Sequence, residues 1–253
     1  MKLRLVLTAQ FFSLLAACAT QPELPTRLAK DVRIGILTLI PEQARLVHVG
    51  TTAFNDFEAP VPLPWQPRDY LAEQMAKELK TSGRQPVLLD IPDGLGADTR
   101  LTGPSFSGPK LTSNVASAFE HLMEQNKLDA IFVVSCQQTG DYIANTSQHL
   151  EGYGLYTRTF FTTSAAAYAN FDMLVVLPAP ARITRYIQPP FDVPSQRAAR
   201  SFPLPETFVP EDRLDSAQQA AVSEAVKSLI DRFVWYSLQQ RSSQLQLWGD
   251  FRN

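Results

Sequence analysis

The sequence predicts a single α/β domain: one mixed sheet of five or six strands with about three helices. Three observations carry that expectation. Runs such as Val32 to Ile40 and Ala130 to Cys136 are apolar at nearly every position, as in strands covered on both faces. Helical stripes recur between the strand-like runs. From Asp31 onward roughly 220 residues remain, enough for one substantial core. The chain has 253 residues, 45% apolar and 19% charged, with a formal net charge of -2. That balance provides no basic field for nucleic acid, so no nucleic-acid partner is expected. With 11 glycines the chain is not collagen-like either.

The elements follow in order. Val32 to Ile40 (VRIGILTLI) and Arg45 to Thr52 (RLVHVGTT) read as two strands, close enough to pair as a hairpin through Pro41-Glu42-Gln43. Residues 53–67 hold Pro60, Pro62, Pro64 and Pro67 around Trp65 and must be extended, because proline excludes a helix interior. Pro67 suits a first helical turn. Leu71, Met75 and Leu79 then repeat every four residues, and Gly83 is a natural stop. Val87 to Ile91 reads as a strand, and Pro92 to Lys110 as irregular chain.

A second helix spans Thr112 to Asn126, with Val115, Phe119, Leu122 and Met123 on one stripe. Ala130 to Cys136 (AIFVVSC) is the most apolar strand and belongs centrally in the sheet. Gly152 to Phe161 and Phe171 to Leu177 read as strands, and Thr162 to Asn170 as a link short enough to make them antiparallel neighbours. Residues 178–210 contain eight of the 19 prolines and cannot be a central strand throughout. The longest helix runs from Asp212 to Gln240 on a stripe of Val222, Val226, Leu229 and Phe233. The tail beyond it includes Leu245, Leu247, Trp248 and Phe251, which could close the core.

Residues 1–18 are of another kind. Lys2 and Arg4 precede an apolar stretch from Leu5 to Leu15 that would cover only ~16 Å as helix, about half a hydrocarbon core, so it reads as a signal peptide. It ends Leu15-Ala16-Ala17-Cys18. This ending resembles the lipobox of bacterial lipoproteins. The resemblance implies cleavage before Cys18, a thioether-linked diacylglycerol on its sulfur, and an N-linked acyl chain such as palmitate. Several acyl chains anchor stably, since each buried CH₂ contributes ~0.8 kcal/mol. Ala19 follows the cysteine, where Asp would imply inner-membrane retention. The resemblance therefore implies a lipid anchor in the outer membrane, with the domain in the periplasm.

Cleavage would leave 236 of the 253 residues, with 21 basic against 25 acidic and a net charge of -4. Residues 18–30 would form a lipidated tether. Cys136 would be a lone thiol, expected to be buried. The element order of the remainder resembles the small α/β domains of periplasmic lipoproteins of the curli-secretion and penicillin-binding-protein-activator types.

Ligands of α/β sheets gather at the carboxyl ends of strands, so candidate site residues lie there. Val49 to Phe57 (VGTTAFNDF) leaves a strand with Gly50, which permits close approach, and with Thr51, Thr52, Asn55 and Asp56 as small hydrogen-bonding groups. With Asp141 and Tyr142 these could line a polar ligand pocket; the plainer reading is a strand exit with turn residues. Cys136 as a nucleophile would need His48, His121 or His149 as its base, and a small buried strand residue is the preferred reading. The scattered histidines give no metal spacing, so neither a metal nor a cofactor is expected. Gly94-Leu95-Gly96 lacks the third glycine and immediate helix of a phosphate loop and reads as a turn. Gly103 to Gly108 lacks the serine-elbow spacing and reads as surface loop.

Arg182, Arg185, Arg197 and Arg200 concentrate in the proline-rich segment and could contact an anionic envelope partner. Alternatively they pair with the acidic remainder of the domain. The functional expectation is thus a membrane-anchored, non-catalytic accessory or assembly factor. A hydrolase using Asp56, Asp141, His149 or Cys136, or a small-ligand module, stands as the alternative.

Overall fold

The apolar runs do become strands, but of two sheets. The structure, a computed structural model, describes residues 31–103, 110–160, 162–178, 180–187, 200–205, 208 and 214–238. In chain order its strands are β1 (Arg33–Leu39), β2 (Ala44–Val49), β3 (Phe57–Val61), β4 (Gln85–Leu88), β5 (Thr102–Gly103), β6 (Lys110–Leu111) and β7 (Ala130–Cys136). They continue with β8 (Gln138–Gly140), β9 (His149–Glu151), β10 (Tyr153–Phe160), β11 (Thr162–Ala169), β12 (Phe171–Leu177), β13 (Arg182–Ile187) and β14 (Ser201–Leu204). The described helices are α1 (Pro67–Thr81), α2 (Ser113–Asn126) and α3 (Ser216–Leu238).

The first sheet has the order β13-β12-β7-β1-β4 and the second β14-β11-β10-β2-β3. Both mix parallel and antiparallel pairs: β1 is parallel to β4 and β7, and β2 is parallel to β10. Among the described residues the fold is therefore one α/β domain with three helices, two mixed five-stranded sheets and the two-stranded pairs β5–β6 and β8–β9. As expected, β7 lies at the centre of its sheet.

Two neighbour relations differ from the sequence expectation. β1 and β2 do not form a hairpin. The chain passes through Ile40 to Gln43 from one sheet into the other, so β1 pairs with β7 and β2 with β10. Thr162 to Asn170 is not a link, because Thr162–Ala169 is itself β11, antiparallel to β10. Asn170 alone then joins β11 to β12 in the other sheet. Three crossings, β1 to β2, β7 to β10 and β11 to β12, sit side by side and define a seam. Strands β1, β7 and β11 run into the seam, whereas β2, β10 and β12 run out of it.

Helices fill the faces this leaves. Against one face of the first sheet, α2 presents Val115, Phe119 and Met123 to Leu37, Leu39, Ile131, Val133, Leu174 and Val176, all buried. Burying side chains of this size contributes roughly 1.5–3 kcal/mol each. α1 lies on β1 and β4 and against α3, which lies across β10, β11 and β14. Trp65 Nε1 donates to Ser223 Oγ at 2.6 Å, Tyr70 donates to Asp231 at 3.0 Å, and Phe171 meets Phe233 edge-on at 5.4 Å. α1 begins with Pro67 at its first turn and ends at Gly83, whose φ of 77° suits glycine, as the sequence predicts.

The proline-rich segments supply edges. β3 lies in the 53–67 stretch at one edge of the second sheet, while β14, with Pro203, forms the other. β13 is one edge of the first sheet, and β4, with Pro86, is the other. Proline removes a ladder donor and so tolerates such positions. The lipobox, the tether, the Gly103 to Gly108 loop beyond Gly103, Arg197 and the C-terminal aromatic tail lie outside the described residues.

Candidate functional site

The outer face of the second sheet carries Val47, Val49, Tyr156 and Tyr168, covered by Tyr142 and Leu150 from the segment between β7 and β10. The loop from Asp141 to Gln148 is organised around one carboxylate. Asp141 Oδ1 accepts the backbone N–H groups of Ile143 and Ala144, each at 2.9 Å. Its Oδ2 accepts the Thr146 N–H at 3.1 Å, the Thr146 hydroxyl at 2.5 Å and the Tyr156 hydroxyl at 2.9 Å. A carboxylate offers about four lone-pair sites, so five donors saturate it. Burial opposes ionisation of Asp141, but bonds from Thr146, Ala144 and Tyr156 outweigh it and hold the carboxyl below its ordinary range.

The two loops singled out in the sequence do meet. Asp56 Oδ1 accepts the Gly50 N–H at 2.8 Å, and its Oδ2 accepts Gln148 Nε2 at 2.6 Å. The contact is a tie between loops rather than a pocket. Thr51, Thr52 and Asn55 are exposed, and the Thr51 hydroxyl donates to the Thr159 carbonyl at 3.2 Å. Tyr142 is buried, and its hydroxyl donates to Asn170 Oδ1 at 2.9 Å and to the Arg200 carbonyl at 3.2 Å. Thr51, Asp56, Asp141 and Tyr142 thus fasten loops to the sheet and to each other, while the Asn55 N–H donates to the Thr52 carbonyl at 2.9 Å within one loop.

Asn170, fully buried at the seam, is the second hub. Its N–H donates to the Gly152 carbonyl at 2.8 Å, and its carbonyl accepts the Gln137 N–H at 2.9 Å. Its side-chain amide donates to the Leu150 carbonyl at 2.8 Å and to Thr139 Oγ1 at 3.1 Å. Next along the chain, Asp172 faces Arg200 at 3.2 Å, both inside the protein. Arg200 is therefore not part of a surface strip: its guanidinium pairs within the domain. Arg182 is exposed at the start of β13, and Arg185 lies in the same strand.

Sequence reasoning missed Gln148, Asn170 and Asp172. A signal was present: Asn170 and Asp172 flank Phe171 at the start of an otherwise apolar run, where polar side chains must be paired.

Cys136, at the end of β7, is half-buried rather than fully enclosed. Desolvation pushes its thiol above the ordinary range, and the Asp172 and Glu151 carboxylates add to this. A raised pKa disfavours the thiolate that nucleophilic chemistry needs. His48 is buried and shares a 2.9 Å hydrogen bond with Thr157 Oγ1, while His121 and His149 are exposed. Among the described residues no three His, Cys, Asp or Glu side chains gather as a metal site. An open depression of about 490 Å³ lies between α1 and β4, edged by Glu73, Lys77, Lys80 and Leu88. It is far from the loops described above in the chain and is shallow, unlike an enclosing ligand cavity. No described helix is long and apolar enough to cross a membrane.

No protein-family model matches this chain, and no curated protein does.

Proposed function

We propose that the protein is an outer-membrane lipoprotein, acylated at Cys18, whose α/β domain serves in the periplasm as a non-catalytic accessory or assembly factor of the cell envelope. The observation that carries the reading is the lipobox, Leu15-Ala16-Ala17-Cys18, after a basic n-region and a short apolar stretch. The non-catalytic part is supported by what the polar groups do. Asp141, Asp56 and Tyr142 spend their hydrogen-bonding capacity on the fold, Arg200 pairs with Asp172 inside it, and Cys136 is pushed toward its neutral thiol. A catalytic acid or nucleophile instead keeps a face open to substrate.

The test is a comparison of Cys18→Ser and Cys136→Ser in cells lacking the native protein. Intact mass and membrane fractionation report acylation, and sensitivity of the cells to detergents reports envelope function. The reading expects Cys18→Ser to lose the lipid mass and the membrane association, and to fail in restoring envelope function. Cys136→Ser should behave as the native protein. Unchanged mass and fractionation of Cys18→Ser would refute the anchor, and loss of function in stably folded Cys136→Ser would favour an enzyme.

A further inference from the structure

β4 is an outer strand of the first sheet, and its free edge is bare. The Gln85 N–H donates to the Val32 carbonyl and the Leu89 N–H to the Ile36 carbonyl, both toward β1. With a period of two, Pro86 and Leu88 turn their backbone groups the other way. Among the described residues nothing bonds that outward row. Leu37 and Leu39 face α2, so Ile34 and Ile36, and Pro86 and Leu88 in register with them, face α1. Leu88 is a large apolar side chain left 54% exposed there. Beside it the depression of about 490 Å³ runs along α1, where Glu73, Lys77 and Lys80 form one exposed stripe. Among the described residues none of the three has an ion-pair partner. An exposed strand edge of this kind is a template for another strand.

We propose that this edge receives a second copy of the chain: the two β4 strands pair antiparallel across a two-fold axis, Leu88 opposite Leu88, and the two α1 helices pack side by side. The spacing fits. α1 lies on both β1 and β4, so its axis stands about half a strand spacing, ~2.4 Å, inside β4. One further strand spacing of ~4.8 Å between the two β4 strands sets the α1 axes ~9.6 Å apart. Packed helices stand about 8–10 Å apart, so each depression is the half-groove that the other helix fills. The charges fit as well. The two-fold axis makes the helices antiparallel, and a centre between Ala76 and Lys77 sets each Glu73 against the other copy's Lys80. Ala76 and Lys77 line the same depression as Leu88, so one axis serves both the strand pair and the helix pair. Pro86 offers a carbonyl but no N–H, so the outward row of β4 donates through Leu88 alone and suits a short ladder. A second copy adds a helix and a lysine for Glu73 to that ladder, which an extended peptide does not. The inference goes beyond the envelope reading and does not depend on acylation.

The experiment uses the full chain as purified from cells. Leu88→Cys in a Cys136→Ser background is mildly oxidised, and non-reducing electrophoresis and intact mass report a cross-linked species of twice the chain mass. The Cys136→Ser chain without the new thiol is the control and should stay single. Adding Glu73→Lys should lower the cross-linked yield roughly tenfold, because the two-fold axis turns two attractive pairs repulsive at once. Lys80→Glu should do the same, and the two reversals together should restore the yield by rebuilding both pairs. Glu73, Lys80 and Leu88 are exposed, so thermal unfolding of every variant should match the native chain. A Leu88→Cys chain that stays single overturns the proposal, as does a cross-linked yield no greater than the control's. A yield indifferent to the single reversals, or one that the double reversal fails to restore, also overturns it. So does a Leu88→Cys cross-link formed only with a different protein.

Discussion

Arg200 and Asp172 face each other at 3.2 Å inside the domain, 5% and 1% exposed, and the pair holds the start of β14 to the start of β12 across the seam. Removing one partner leaves a buried charge without compensation, which costs about 3–5 kcal/mol. Asp172→Asn should therefore lower stability by that amount in urea denaturation. The double variant Arg200→Met with Asp172→Leu should recover most of the loss, because apolar replacement of both partners removes the desolvation penalty. A loss under about 1 kcal/mol for Asp172→Asn would place the pair among solvated ones.

Asp141 gives the fold a dependence on acid. Its carboxyl ionises more readily in the folded chain than at the ordinary 3.8, because Thr146, Ala144 and Tyr156 donate to the charged form against the opposing effect of burial. Above about pH 5 both states are ionised and the full stabilisation is present. As pH falls through 3.8 the unfolded chain takes up the proton first, and stability drops until the folded carboxyl is also protonated. Asp141→Asn should cost about 2–4 kcal/mol near neutrality, since an amide cannot accept all five donors. It should also flatten the decline in urea midpoint between about pH 5 and pH 2. An equally steep decline in the variant would assign the acid sensitivity elsewhere.

His48 works in a higher range. Burial beside Thr157 and the Phe57 ring, 4.8 Å away, lowers its pKa below 6.5, and the Asp56 carboxylate only partly restores it. The unfolded chain then binds the proton more readily, so stability falls as pH drops below 6.5 and stops falling once the folded imidazole is charged. Proton resonances of the His48 ring should titrate with a midpoint below 6.5, and His48→Gln should remove this component from the stability curve. A ring titrating above 6.5 would mean that Asp56 outweighs burial.

These predictions rest on residues that the sequence exposed to different degrees. β1, β7, β10 and β12 announce themselves by β-branched and apolar runs, and the helices by their stripes and stop signals. β11 does not: TTSAAAYA has neither alternation nor bulk. It is a strand because tertiary packing wants small residues there: Ala165, Ala166 and Ala167 are all buried, Ala166 on the face of Tyr156 and Tyr168 and the other two on the opposite face. The division into two sheets was equally hidden, since nothing in Pro41-Glu42-Gln43 distinguishes a hairpin turn from a passage between sheets. At the candidate site, the polar turn residues around Asp56 and Asp141 were visible in the sequence, but not that the loops meet through Asp56 and Gln148. The plainer reading of a strand exit with turn residues stood beside that of a pocket, but the particular ties did not show in the sequence, because Asp56 meets Gln148 and Tyr142 meets Asn170 across 92 and 28 positions. Arg200 looked like surface charge because its partner is 28 positions away.

Gly154 tests the pairing that creates the second sheet. Its φ is 153°, and a Cβ built on it would lie 1.9 Å from the Arg45 carbonyl oxygen and 2.6 Å from the Arg45 nitrogen. Those atoms are backbone of β2 at the first rung of its ladder with β10, so no side-chain rotation can relieve the contact. Gly154→Ala must push the two strands apart where they leave the seam, next to the Gly152 carbonyl that accepts from Asn170. A loss of about 3 kcal/mol or more is expected, in the range of changes that force backbone to move. Hydrogen exchange should show where the strain goes. Amides of β2 and the start of β10 should lose protection, while those of β1 and β7 in the other sheet keep theirs. Uniform loss across both sheets would show that the seam transmits the disruption and that the sheets unfold as one unit.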